Sequence, residues 1–266
     1  MFMKDLLNKQ TAEFFEKYSR QYSLENYDPK LNIFMHERLN TIVNLTKKYL
    51  NKENTKILDI GCGSGEINYH LALNGYQGKG IDISNGMVNL AKEKLKDIKN
   101  WNFQVSSLMN YNDTEKYDLV IASGLIEYFE DEDFVLDKLK YFIKDGGLII
   151  INVTNIVGYS TCLNNITYHM KSNFIIKYLK EKIYKKKYGI LNFKPKKHFI
   201  PNFESKLLSK KLNILSKNYI GFSLLPAPFN FIFSKILYKI DIYLQKLKFT
   251  PIKYLSASCV FCVRKN

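Results

Sequence analysis

A turn built from alternating glycines follows the first apolar strand of the sequence. The strand, residues 56–60, contains Asp59 and runs directly into Gly61, Gly63 and Gly65, with an amphipathic stretch behind them. Glycines let a backbone approach a ligand at the carboxyl end of a strand, where the next helix begins with unpaired N–H groups. The glycines lack the Gly-x-Gly-x-x-Gly spacing of dinucleotide-binding turns. A carboxylate beside them suits an ammonium group better than a pyrophosphate.

A second carboxylate, Asp82, closes the next strand 23 positions after Asp59. In nucleotide-binding α/β folds a carboxylate at this place accepts hydrogen bonds from both hydroxyls of a ribose. A ligand that combines a ribose, an ammonium group and a carboxylate, without a phosphate, is S-adenosylmethionine. The two strand ends therefore predict this cofactor, with S-adenosylhomocysteine as its product.

At these residues the chain resembles the class I S-adenosylmethionine-dependent methyltransferases. Four segments match the family in order and spacing, namely residues 57–65, 80–84, 117–123 and the glycine turn 144–148. The resemblance covers about residues 35–155 firmly and the remainder loosely. Within the family the chain looks most like the ubiquinone-pathway type of small-molecule O-methyltransferase and its glycan-modifying relatives. The cofactor-binding residues that this resemblance implies are Arg38, Asp59, Gly61, Cys62, Gly63, Gly65, Asp82, Ile83, Ser107, Leu108 and Ser123.

The resemblance assigns Arg38 to the carboxylate of the cofactor and places Ser107 and Leu108 near its adenine. Arg38 stands some 20 residues before the glycine turn, where the family's arginine holds the cofactor's carboxylate, which a guanidinium can do bidentately. Its alternative is an ordinary arginine on a helix surface. Ser107 and Leu108 follow the third strand, where the family often has an acidic residue near the adenine amino group. A hydroxyl or the Leu108 backbone can still make that contact, so we expect adenine recognition to be altered rather than lost.

Methyl transfer from a sulfonium is a direct displacement that needs alignment and the exclusion of water. A hydroxyl acceptor must also lose a proton, best to a group with a pKa near neutrality. Of four histidines, His198 occupies the place, just before a predicted helix, where similar enzymes carry a histidine near the substrate pocket. Glu127 and Tyr128 follow the fourth strand, where relatives often have Glu-His. These three residues are the catalytic candidates.

The sequence lacks the motifs of a zinc site and of enzymes that methylate nucleobases. Cys259 and Cys262 have the spacing of half a zinc site, but they lie in an apolar strand without a second pair, which favours buried core thiols. We therefore predict no metal. No Asn/Asp-Pro-Pro-Tyr/Phe motif follows the fourth strand, and no Pro-Cys nucleophile stands there. These gaps argue against methylation of a base at an exocyclic amine or at pyrimidine C5.

The elements that position these residues alternate between strands and helices over about 100 residues, which is typical of a parallel α/β sheet. Two helices are expected within residues 5–50. The predicted core strands are 56–60, 78–83, 101–105, 117–122 and 148–153. The predicted core helices are 67–73, 84–95 and 133–142. Beyond residue 155 we expect helices near 174–184, 202–211 and 229–248 and strands at 219–224 and 256–263.

The pattern thus predicts an α/β fold with a Rossmann-like seven-stranded sheet. By the family resemblance the sheet is mostly parallel and its last strand is antiparallel. An N-terminal helical cap (1–50) precedes the cofactor-binding core (51–154). An inserted lid (155–201) and a C-terminal completion of the core (202–266) follow.

Composition supports a globular protein. The 266 residues are 46% hydrophobic and 24% charged, enough to bury a core, and no apolar run approaches the length of a membrane span. The start of the sequence lacks the apolar segment of a signal peptide. Four cysteines do not make a disulfide framework. Together these features predict a cytoplasmic protein.

Charge is unevenly distributed. Residues 1–160 contain 19 Lys/Arg and 22 Asp/Glu, a net charge of −3, whereas residues 161–266 contain 21 and 3, a net charge of +18. Lysines at 185–187, 194, 196 and 197 and in the amphipathic stretch 229–248 can hold the enzyme peripherally against an anionic inner membrane and admit a lipid-linked acceptor. The same surface can bind RNA, or the surplus can reflect the lysine usage of an AT-rich genome.

The predicted reaction is O-methylation of a small molecule, a lipid-linked intermediate or a glycan. Nucleic acid is the less favoured partner, because beyond residue 38 the chain has a single arginine, Arg264, and RNA-binding proteins interleave aromatic residues with arginine. An RNA-binding methyltransferase and N-methylation of an amino sugar are the alternatives. The sequence leaves the acceptor and the oligomeric state open.

Overall fold

The computed structural model describes residues 2–27, 32–159, 162, 195–222, 243 and 251–266. Its strands are β1 (Lys56–Ile60), β2 (Gln77–Asp82), β3 (Trp101–Val105), β4 (Tyr117–Ser123), β5 (Ile143–Thr154), β6 (Leu212–Ile220) and β7 (Ser258–Lys265). The helices are α1 (Phe2–Asn26), α2 (Ile33–Tyr49), α3 (Glu66–Leu73), α4 (Asn85–Lys94), α5 (Glu132–Phe142) and α6 (Ile200–Ser209). Short 3-10 helices span Ile126–Tyr128 and Pro251–Leu255.

All seven strands form one sheet in the order β3-β2-β1-β4-β5-β7-β6. The first five strands pair in parallel, whereas β7 lies between β5 and β6 and is antiparallel to both. This confirms the predicted mostly parallel sheet with an antiparallel last strand. Because β1 has β2 on one side and β4 on the other, the direction of winding reverses between β1 and β4, where α/β folds bind ligands.

Helices cover both faces of the sheet because each buried strand directs alternate side chains to opposite sides. Ile149 and Ile151 of β5 face the layer formed by α5 and α6, and Leu148 and Ile150 face the layer that includes α2 and α3. Cys259 and Cys262 of β7 are buried in these two different layers, as expected for core thiols. In the described part of the chain no helix is long and apolar enough to cross a bilayer.

Some predicted boundaries were wrong. The strand predicted at 219–224 runs over Leu212–Ile220 instead, and it ends where Gly221 adopts a φ of 73°. β6 is an edge strand with one partner, and edge strands often carry polar residues. In sequence, the polar residues of β6 therefore resemble a loop. The glycine turn predicted at residues 144–148 is an irregularity within β5, where the pairing with β4 shifts register. The predicted helices near 174–184 and 229–248, and most of the lid, lie outside the described residues.

Candidate functional site

A cavity lies at the carboxyl ends of β1, β2 and β4, where the winding reverses. It holds about 1020 Å³ of empty space, part of it open to solvent. Its wall includes most of the predicted cofactor and catalytic residues, namely Arg38, Gly61, Cys62, Gly63, Asp82, Ile83, Ser107, Leu108, Ser123, Glu127 and Tyr128. Three predicted residues, Asp59, Gly65 and His198, are not part of this wall.

The glycine turn depends on left-handed backbone at Gly63 and Gly65, with φ of 54° and 74°. A Cβ on Gly63 would meet nothing within 4 Å, so this edge of the turn borders open space. A Cβ on Gly65 would lie 2.9 Å from that of Ala91, so Gly65 is needed where the turn packs against α4. The turn's N–H groups at Gly61 and Cys62 donate to the Ile81 carbonyl at 2.8 and 3.0 Å and so are used within the protein.

Asp82 holds the turn and also faces the cavity. Its Oδ2 accepts a hydrogen bond from Gly63 N at 2.9 Å, and its Oδ1 accepts one from Ser84 N at 2.9 Å. A carboxylate oxygen has two lone pairs, so each oxygen can accept one more hydrogen bond. Asp82 can therefore accept two hydroxyl donors from a ligand without releasing the turn.

Asp59 lies behind the wall. It is 1% exposed, and neither carboxylate oxygen has a hydrogen-bond partner of normal geometry in the described residues. Burial raises the pKa of Asp59 to about 7, an effect opposed first by the neighbouring Asn68 amide and also by Arg38. The predicted contact between Asp59 and an ammonium group stays a prediction.

Arg38 places a cation at the wall. Its Nη1 lies beside Gly124, which follows β4. It is close enough to Tyr27 to lower the pKa of that hydroxyl against the larger raising effect of burial. Besides its hydrogen bond with the Tyr27 hydroxyl, Arg38 forms no ion pair with a carboxylate among the described residues, so other N–H donors of its guanidinium can bind an anionic ligand.

The wall beyond β3 carries polar groups in place of the family's acidic residue. The Ser107 hydroxyl accepts a hydrogen bond from Asn110 N at 3.2 Å, and Leu108 is buried. Across the cavity, Ser123 ends β4, and its buried hydroxyl has no partner among the described residues. A polar ligand group can supply the missing partner.

Glu127 and Tyr128 belong to the 3-10 helix that follows β4. Glu127 Oε1 accepts hydrogen bonds from Thr154 N at 2.6 Å and from the Thr154 hydroxyl. Burial raises the pKa of Glu127, and the Thr154 hydroxyl and Arg38 oppose this effect. Burial also raises the pKa of Tyr128, so this hydroxyl stays protonated at neutral pH.

His198 lies two residues after Lys196, whose N–H donates to the Glu127 carbonyl at 2.9 Å. Its ring is 6% exposed, lies 5.1 Å from the Phe203 ring and places Nε2 3.3 Å from Glu132 Oε1. Burial lowers its pKa, which Glu132 partly opposes. The backbone of His198 pairs with residues 154–156 at the end of β5. His198 is not among the described residues that line the cavity.

Helix α1 supplies a part of the wall that the sequence did not assign, through Phe15, Tyr22 and nearby Tyr27. Glu16 connects α1 to the start of α4. Its Oε2 accepts hydrogen bonds from Gly86 N at 2.7 Å and from Ser84 Oγ at 3.0 Å. The aromatic residues at helical spacing within residues 14–22 are the signal that points to such a packing face.

Comparison with known proteins agrees with this architecture. Residues 51–198, more than half of the chain, match the methyltransferase domain family. The chain belongs to this family. It is similar in fold, at a TM-score of 0.67 and 14% identity, to magnesium protoporphyrin IX methyltransferase from Synechocystis, solved with bound S-adenosylhomocysteine; the match covers 96% of this chain and 98% of that one.

Curated relatives match only in part. A malonyl-[acyl-carrier protein] O-methyltransferase of Ilyobacter polytropus is 32% identical over 143 residues, which are 53% of this chain and 50% of that protein. A ubiquinone biosynthesis O-methyltransferase of Rickettsia bellii is 34% identical over 157 residues, 56% of this chain and 63% of that protein. The chain thus spans less than two thirds of either relative.

Proposed function

We propose that this protein is an S-adenosylmethionine-dependent methyltransferase that methylates an oxygen atom of a small molecule, a lipid-linked intermediate or a glycan. The observation that supports it best is the cavity at the switch point, bordered by the open edge of Gly63 and by Asp82 with free lone pairs. The names of the two curated relatives favour O-methylation.

The residues present fit the cofactor. Asp82 would accept the ribose hydroxyls, Arg38 would bind the carboxylate, and the unpartnered Ser123 hydroxyl faces the same cavity. When bound, the cofactor supplies an electrophilic methyl group on a sulfonium. Phe15 and Tyr22 of α1 line the cavity and would reduce the access of water to the reacting atoms.

The proton of the acceptor hydroxyl goes to Glu127 in this proposal. Glu127 lines the cavity, and burial raises its pKa toward the range that suits a general base. Tyr128 keeps its proton at neutral pH and so acts as a hydrogen-bond donor. His198 is left out, because it packs against Glu132 and Phe203 outside the cavity.

Isothermal titration calorimetry tests the proposal. S-adenosylmethionine and S-adenosylhomocysteine should both bind, and Asp82→Ala should weaken binding by at least about 2–3 kcal/mol, roughly 30- to 150-fold, because two hydrogen bonds to the ribose are lost and the turn loses its acceptor for Gly63 N. Asp97→Ala, an exposed site, is the matched control. Tight NAD binding without binding of either sulfur compound would refute the cofactor assignment.

Peripheral contact with an anionic membrane stays a prediction. Most lysines of the basic C-terminal third lie outside the described residues, and Lys196 is engaged with the Glu130 carbonyl and, at 3.7 Å, with Glu132. Co-sedimentation with anionic vesicles at low salt, beside a gel shift with tRNA, separates a lipid-binding surface from an RNA-binding one.

A further inference from the structure

Glu127, the proposed base, is held by the end of strand β5. Thr154 is the last residue of that strand, and it donates to Glu127 Oε1 twice, through its N–H at 2.6 Å and through its hydroxyl. Thr154 is itself fixed on two sides, because it pairs with Ser258 of β7 and its carbonyl accepts a hydrogen bond from His198 N at 2.8 Å. The carboxylate is therefore oriented by the sheet rather than by a free loop.

The two hydrogen bonds from Thr154 make the two oxygens of Glu127 unequal. A carboxylate oxygen has two lone pairs, and Thr154 uses both of those on Oε1. A proton that reaches the carboxylate therefore binds to Oε2. The hydroxyl of Thr154 also stabilises the ionised form, so it lowers the pKa of Glu127 against the larger raising effect of burial.

We propose that Thr154 is a positioning residue for the methyl transfer: its hydroxyl holds Glu127 so that Oε2 takes the proton of the acceptor. As the O–H bond of the acceptor breaks, the proton forms a bond with Oε2, while Oε1 stays bonded to Thr154. The proposal rests on the proposed function, which makes Glu127 the base. Thr154 is not among the described residues that line the cavity, so it acts through Glu127.

The first test follows the ionisation of Glu127 directly. Carbon-detected NMR of the protein with isotope-labelled glutamate records each carboxylate during a pH titration, and Glu127→Gln identifies the signal. Thr154→Val keeps the backbone N–H but removes the hydroxyl, so the titration of Glu127 should move to higher pH by about one pH unit. Thr154→Ser, which keeps a hydroxyl, should titrate as the unmodified protein does. If valine is not tolerated, Thr154→Ala removes the same hydroxyl. An unchanged titration in the folded variant without the hydroxyl overturns the proposal.

The second test connects Thr154 to the cofactor. S-adenosylmethionine carries a positive sulfonium where S-adenosylhomocysteine has a neutral thioether, so an ionised base beside the methyl group favours the former. By calorimetry, the ratio of the two dissociation constants should change with pH as Glu127 ionises, and Thr154→Val should move this profile to higher pH. Thr46→Val removes a buried hydroxyl that donates to the Ile42 carbonyl within α2, and it should leave the profile unchanged.

A Thr154→Val profile that coincides with that of the unmodified protein overturns the proposal. A protein that binds neither sulfur compound refutes the proposed function instead, while the NMR titration of Glu127 still decides whether the Thr154 hydroxyl holds the carboxylate. The two failures are therefore distinguishable.

Discussion

Two glycines of the same turn offer a matched pair of substitutions with opposite consequences. Gly63 and Gly65 both have left-handed φ, at 54° and 74°, so alanine at either site carries a backbone cost of about 1–2 kcal/mol. Their surroundings differ. The new methyl group at 63 would enter open space, whereas the one at 65 would lie 2.9 Å from the Ala91 Cβ and 3.1 Å from its Cα.

The expected losses of stability follow from this difference. Gly65→Ala adds an overpacking cost of about 1–3 kcal/mol to the backbone cost, so its total loss is roughly 2–5 kcal/mol. Gly63→Ala should lose about 1–2 kcal/mol. Urea unfolding of both variants without ligand measures the difference in the free energy of unfolding.

Cofactor affinity should show the reverse order. Gly63 borders the cavity and Gly65 does not, so Gly63→Ala should weaken S-adenosylhomocysteine about tenfold or more, a cost of roughly 1.4 kcal/mol. Folded Gly65→Ala should bind it normally. The reasoning is refuted if the two variants lose the same stability, or if Gly63→Ala binds S-adenosylhomocysteine as tightly as the unmodified protein.

Three further results are expected. Because burial raises the pKa of Asp59 to about 7, its contribution to stability is complete below about pH 4 and is lost as the pH rises through 7. Asp59→Asn should therefore gain stability relative to the unmodified protein between pH 5 and pH 8 in urea unfolding, and a constant difference would contradict this. Glu16→Gln should release S-adenosylhomocysteine several-fold faster in stopped-flow measurements, because the hydrogen bonds from the start of α4 to the α1 carboxylate weaken. Glu13→Gln, at an exposed residue of the same helix, should leave the release rate unchanged. Equal release rates in the two variants would exclude a role for α1 in covering the cavity. His198→Ala should lose about 1–3 kcal/mol of stability and keep its cofactor affinity, because the His198 ring is buried and does not line the cavity. A roughly 100-fold loss of turnover in a variant that remains folded would make His198 a candidate base again.

The part of the cavity formed by the glycine turn and Asp82 could be predicted from the sequence because its determinants are local. The glycine turn and Asp82 each stand at a strand end, and parallel strands bring their carboxyl ends to one edge of the sheet. The order of the strands and the residues that follow them are therefore enough to predict this part of the cavity.

The covering helix and the orientation of the His198 ring could not be predicted in the same way. Glu16 reaches Gly86 across 70 positions, and no local pattern pairs a helix carboxylate with a distant helix start. His198 stands at the position that the resemblance indicated, but its ring packs against Glu132 and Phe203 and does not line the cavity. Position in the chain therefore did not determine the direction of the side chain.

The place of β7 between β5 and β6 bears on how the chain folds during synthesis. A nascent chain that ends at Gly221 contains β6, but the strand that β6 pairs with, at residues 258–265, has not yet been made. Until residues 258–265 are made, the edge of β5 that pairs with β7 is open. Open strand edges are known starting points for aggregation. A premature stop before Ser258 would thus leave two strands without their partner, so truncated products should aggregate rather than fold into a smaller domain.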